Sequence, residues 1–229
     1  MSDIALSIAF SVVFLWLPVA LFYRVIVWLR SRSDLTIALA PVPFTLWGVV
    51  LRLLAEIFLF RSLWRASRIT WLGCSMLHYG LLMILLMHLR FVIEVLPSWL
   101  VPFIASSGVS SALLLCGLLI LFARRCFVDR VRYISVPSDY LHLLLLFSIV
   151  VTGLLLKRFW PVNLYETGQF LRGAFTLNWQ ALPDHTGLFV HLVLVLLLLA
   201  IFPVSKLIHG IGILFNPVYL QRDVSRKYR

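Results

Sequence analysis

The chain has 229 residues, a length that suits one domain. It is 62% hydrophobic and 13% charged, with a mean hydropathy of +1.02. These values exclude a soluble globular protein and describe a polytopic membrane protein. The net charge of +11 does not point to nucleic acid, because the basic residues gather between apolar runs. Anionic lipid headgroups, and an acidic or water-soluble protein docked on the same side, are the partners that pattern suits.

About 20 apolar residues are needed to cross the hydrocarbon. The first such run covers residues 4–28, with Pro18 as a tolerated kink, and is closed by Arg24, Arg30 and Arg32. Asp3 stands where a secretory leader would carry basic residues, and the run is long, so it reads as a retained first span. Residues 44–60 are apolar too, but carry Arg52 and Glu56 at i, i+4, the spacing of an ion pair on one helix face. A helix lying at the cytoplasmic interface, continued over residues 44–68 by Arg61, Arg65 and Arg68, fits this better than a sixth span. A short buried span with an internal ion pair is the alternative.

The second span is expected over residues 71–96 and holds His78 and His88 within an otherwise apolar run, with Arg90 close behind. The third covers residues 107–122 and is closed by Arg124, Arg125, Arg130 and Arg132. The fourth covers residues 140–156, with His142 near Asp139 at its start. The connector over residues 157–184 is rich in aromatic residues, Gly and Pro. Its length suggests either a lid over one end of the bundle or interfacial anchoring by residues such as Trp160, Phe170 and Trp179. The fifth span, residues 186–208, follows His185, contains His191 and leads into His209. Cys74, Cys116 and Cys126 form no CxxC, no CxxCH and no metal-ligand spacing, so neither covalently attached haem nor an iron–sulfur cluster is expected.

Charge placement orients the five spans. Seven arginines from Arg24 to Arg68, four after the third span, and Lys206 with four basic residues of the C-terminal tail fall on one side. The positive-inside rule then puts the N-terminus outside and the C-terminus in the cytoplasm. The fold class is an all-helical five-span membrane bundle with a cytoplasmic interfacial helix.

Imidazole deep in hydrocarbon is costly unless something satisfies it, so intramembrane histidines mark function. His78 and His88 are ten residues apart, a rise of about 15 Å along a helix. His191 and His209 are eighteen apart, about five turns, which would put both on one face with a rise of about 27 Å. The two spans run in opposite directions. Depth therefore pairs His78 with His209 on the cytoplasmic side and His88 with His191 toward the outside. Each pair suits the two axial positions of a b-type haem held between facing helices. Gly80, Gly210 and Gly212 are small residues where a flat macrocycle would approach. Packing histidines or a proton path are the plainer readings of any one of them. A haem-free transporter or proton-translocating subunit, and a structural anchor for a soluble enzyme, remain as alternatives for the whole chain.

These spacings, ten and eighteen, on the second and fifth of five spans, resemble the gamma subunit of respiratory nitrate reductase. They also resemble the related membrane cytochrome b, DsrM, of the sulfite-reduction-associated complex of sulfur metabolism. The resemblance implies two non-covalent b haems, ligated by His78/His209 near the cytoplasm and His88/His191 near the outer face. It implies a quinone (menaquinone or ubiquinone) close to the outer haem and a cytoplasmic iron–sulfur partner subunit. Further membrane and outer-face cytochrome subunits, and a place in a bacterial cytoplasmic membrane, are implied as well. That family has a lysine near its quinone site on the third span, where this chain has none. Arg90 is the basic residue at that depth, either in the lysine's place or snorkelling to the interface. His142 and His185 are further candidates for a propionate or quinone contact, or are satisfied interfacial histidines. The chain has no nucleophile–base set and no phosphate loop, so substrate chemistry is expected in another subunit.

Overall fold

A computed structural model of the chain describes residues 2–31, 43, 45–215 and 220. Arg32, Phe44 and the basic residues of the C-terminal tail lie outside the described residues. Among those described, every regular element is a helix. In chain order they are α1 (Ser2–Arg30), α2 (Leu46–Leu59), α3 (Arg61–Ala66), α4 (Arg68–His88), α5 (Val101–Ala105) and α6 (Ser107–Phe127). Then follow α7 (Asp129–Ile134), α8 (Pro137–Arg158), α9 (Leu164–Thr176), α10 (Thr186–Ile201) and α11 (His209–Gly212). Five of them, α1, α4, α6, α8 and α10, belong to segments long and apolar enough to cross a membrane. The protein is a multi-pass membrane protein with five spans. Large apolar side chains such as Val12, Leu15, Val19 and Phe22 on α1 are exposed, as lipid-facing residues must be.

Local chemistry sets where these helices begin and end. Pro18 sits inside α1 without breaking it. α2 starts at Thr45, whose hydroxyl accepts from Gly48 N at 3.0 Å. It ends where Phe60 turns left-handed at φ 49°. With 14 residues it is too short to span. Glu56, expected to pair with Arg52, accepts from the backbone N–H and hydroxyl of Ser62 at 3.0 and 2.6 Å. The carboxylate thus caps the start of α3 across the kink, where the first amides of a helix lack partners. α8 begins at Pro137, a residue pre-set for the first helical position. Asp139 accepts from Val136 N at 3.1 Å and pairs with Arg125 at 3.3 Å.

The chain divides into two compact units, one of residues 1–16 and 68–200, the other of residues 17–67 and 201–229. In the first, α4 and α6 pack backbone to backbone. A Cβ on Gly80 would stand 2.6 Å from Leu114 N, and one on Gly117 would stand 2.5 Å from Leu77 N. Gly80 therefore makes room for a helix rather than for a flat cofactor, as small residues do between membrane helices. Leu77, Leu114, Leu118, Leu146 and Val150 close the core of α4, α6 and α8.

A second core joins the start of α1 to α8, α9 and α10 through Phe10, Leu156, Phe170 and Leu188. The aromatic connector is thus an ordered element. α9 buries Phe170 and Ala174 completely, and Phe175 stacks on Phe14 at 3.9 Å. Ser11 donates to Ala174 O at 2.6 Å and accepts from Trp179 Nε1 at 3.1 Å.

In the second unit, Arg24 donates to Pro203 O at 3.2 Å and Trp28 packs on Phe215. A Cβ on Gly212 would lie 3.6 Å from the Trp28 ring, whereas one on Gly210 would meet nothing within 4 Å. The expected fifth helix is interrupted. α10 ends at Ile201, 3₁₀ turns cover Phe202–Val204 and Lys206–Ile208, and Ser205 between them is extended. Pro203 removes a donor and clashes with the preceding turn, so the helix stops there. His209 opens the separate α11, and counting five regular turns from His191 does not give its orientation.

Candidate functional site

Each of the candidate ligand histidines has its ring fixed by a bond at Nδ1. His78 Nδ1 donates to Cys74 O at 2.8 Å, and His88 Nδ1 donates to Ile84 O at 2.7 Å. Both partners lie one turn back on α4, so the helix itself orients the rings. His209 Nδ1 donates to Lys206 O at 3.1 Å. His191 points from α10 to α8, where Thr152 Oγ1 is 2.9 Å from its Nδ1. The Thr152 proton goes to the carbonyls of Ser148 and Ile149, at 2.8 and 3.1 Å. Its oxygen is therefore the acceptor, and His191 Nδ1 carries the proton. In His88 and His191 this leaves the lone pair of the neutral ring on Nε2, the atom that coordinates a metal when Nδ1 is held this way.

His88 and His191 both belong to the first unit. Both rings are half-buried. Gly153 lies against His191, since a Cβ there would be 3.2 Å from Cε1. His78 is half-buried on α4 of the first unit, whereas His209 is exposed in the second. Among the described residues, no three His, Cys, Asp or Glu side chains converge as a metal site. Axial ligation of a porphyrin iron requires only two.

The remaining candidates separate clearly. His142 Nδ1 donates to Ser138 O, one turn back on α8. Arg90 lays its guanidinium over the Phe91 ring, 4.9 Å from the centroid, and its buried Nε has no hydrogen-bond partner among the described residues. Phe91 in turn stands 5.7 Å from the His88 ring. His185 differs from every other histidine. Its Nδ1 accepts from Leu188 N at 3.1 Å and its carbonyl accepts from Phe189 N at 3.0 Å, which makes it the cap of α10. With Nδ1 an acceptor, the neutral ring carries its proton on Nε2.

Beside His191 the first unit contains a cavity of about 490 Å³, lined by Thr152, Trp160, His185, Thr186, Gly187 and Val190. Its walls are mostly apolar, and Thr152 links it directly to His191. Trp160, read from sequence only as a lid or anchor, is one of those walls. A smaller polar cavity of about 240 Å³ includes Glu94, Gln169 and Arg172. Sequence reading missed Thr152 and Gly153. They are a hydroxyl residue and a glycine in an apolar span, but no spacing ties Thr152 to a histidine 39 residues away.

Residues 45–228 match the model of a family described as the nitrate reductase gamma subunit. A protein of Archaeoglobus fulgidus named Hdr-like menaquinol oxidoreductase cytochrome b-like subunit is 29% identical, over 93% of this chain and 79% of its own length. Its namesake in Archaeoglobus profundus is 27% identical, over 90% of this chain and 75% of its own length. Both relatives are archaeal, whereas the resemblance read from the histidines implied a bacterial membrane.

Proposed function

This chain belongs to the nitrate reductase gamma subunit family, and on that premise we propose that it is the dihaem cytochrome b of a quinol-oxidising membrane complex. Bound b-type haem with both axial positions filled supplies one-electron transfer rather than oxygen chemistry. His88 and His191 hold the outer haem, and His78 and His209 hold the inner one. A quinone, menaquinone or ubiquinone, sits near the outer site. A cytoplasmic iron–sulfur subunit docks at the inner end, and further membrane or outer-face cytochrome subunits complete the assembly. The N-terminus is outside and the C-terminus is cytoplasmic, as the arginine distribution argues.

The observation that carries this reading is the placement of His88 and His191 in one compact unit, each with Nδ1 committed to a bond. A proton relay has no need for one tautomer at all four positions. Thr152 and the carbonyl of Ile84 set the ring planes. A second supporting feature is the buried Nε of Arg90. A buried charged donor without a partner costs about 1–3 kcal/mol or more. Beside His88, a haem propionate is an anion of the right kind to satisfy it. His142 is assigned the same kind of contact at the inner haem.

A reduced-minus-oxidised spectrum of the purified chain tests the proposal, with single His→Ala variants. A b-type band is expected. His88→Ala and His191→Ala should remove the same haem, and His78→Ala and His209→Ala the other. No b-type band, or losses that cross between the pairs, would overturn it.

A further inference from the structure

We propose that His185 makes the cavity beside His191 bind a quinone more tightly in its oxidised than in its reduced form. The bound couple is thereby biased toward releasing electrons to the outer haem. The inference rests on the reading of this chain as a quinol-oxidising cytochrome b, and concerns the direction in which that site works.

Three observations lead to it. The cavity, at about 490 Å³, is of the size that takes a small-molecule ring, and its polar side chains, those of Thr152, Trp160, His185 and Thr186, must set what it recognises. Thr152 is already engaged, since its proton goes to helix carbonyls and its oxygen accepts from His191. His185 is fixed at both ends by the start of α10, with Nδ1 accepting from Leu188 N and the carbonyl accepting from Phe189 N. The neutral ring can therefore offer the cavity only an N–H donor, at Nε2.

The chemistry of the couple does the rest. The ring oxygens of a quinone are carbonyls, which accept hydrogen bonds well. Those of the hydroquinone are hydroxyls, weaker acceptors that also need an acceptor for their own proton, which His185 Nε2 does not supply. Oxidation converts hydroquinone to quinone with release of two protons and two electrons, the electrons passing one at a time to the haem iron. A site that binds the product form more tightly shifts this equilibrium by its differential affinity. His185 is then a binding residue that sets redox preference, and the protons leave by another route.

The test uses the full chain in detergent and 2-methyl-1,4-naphthoquinone as the probe. Binding is measured calorimetrically for the oxidised form and for the form kept reduced with dithionite. The wild type should favour the oxidised form by about tenfold, the worth of one hydrogen bond in a desolvated site. His185→Phe should lose that preference. His185→Gln, whose amide offers both a donor and an acceptor, should bind both forms alike. Val190→Trp, which fills the cavity, should abolish binding of both. Equal affinity in the wild type, a preference that survives His185→Phe, or binding that survives Val190→Trp would each overturn the proposal. The b-type haem content of the same sample separates the two levels: haem without the preference sinks only this inference, and the preference without haem sinks the cytochrome reading together with the electron route to the outer haem.

Discussion

At the scale of single residues, the proposed site would work by fixing imidazole tautomers. The four candidate ligand rings commit Nδ1 as a donor, as His142 does, and His185 commits it as an acceptor. The Thr152 hydroxyl bonds its own helix and still accepts from the next, as small hydroxyl residues do between membrane helices. Thr152→Val should leave the outer haem bound but loosened, by the 10–100-fold typical of such supporting contacts. Thr152→Ser should stay near wild type, and haem content on dilution measures both. Complete indifference of the valine variant would mean that His191 is not held through Thr152. Arg90→Gln should lower the midpoint potential of one haem only, since a lost positive charge favours the oxidised iron. The shift should be on the order of 1 kcal/mol, roughly 40 mV for one electron. A redox titration with Arg90→Lys as control reads it. The histidines were legible in the sequence because an imidazole in an apolar run advertises itself. Thr152 was not, because its importance comes from a contact 39 residues away.

At the scale of elements, hydropathy alone located the five spans, since the helix-forming apolar runs are long and their basic ends are sharp. What it did not give were the interruptions. The chain leaves α4 at His88, not at residue 96, and Leu89–Phe91 tighten into a 3₁₀ turn. Pro203 stops α10, so His191 and His209 do not share one helix. The connector hides α9, whose start is marked by Asn163 accepting from Tyr165 N and Glu166 N at 3.1 and 3.3 Å. The closest helix contact was misread too, since Gly80 serves α6. Gly80→Leu would drive a side chain into the Leu114 backbone, which cannot yield as a flexible side chain would. Overpacking of this kind costs about 1–3 kcal/mol. Thermal unfolding in detergent should show a lower midpoint, with loss of bound haem following loss of fold. Gly210→Ala, which meets nothing within 4 Å, is the matched control and should be silent.

At the scale of the whole molecule, function depends on which end faces the cytoplasm, and here the argument is electrostatic. Arginines after the first and third spans, and the basic residues beyond the fifth, all fall on one side of a five-span chain. Cytoplasmic retention of such loops is the strongest orienting force a short chain has. It predicts that α7, between the third and fourth spans, lies in the cytoplasm, and that the connector before α5 lies outside. Tyr133 on α7 is 92% exposed and Val95 on that connector is 84% exposed, so both can be labelled without disturbing a core. With Cys74, Cys116 and Cys126 changed to serine, Val95→Cys should react with an impermeant maleimide on intact cells. Tyr133→Cys should react only after lysis. The reverse pattern would turn the bundle over. Pairing by depth would survive that reversal, because it depends only on the spans alternating in direction. The assignment of His88 and His191 to the quinone side would not, and the soluble electron partner would then have to dock at the end away from the arginines.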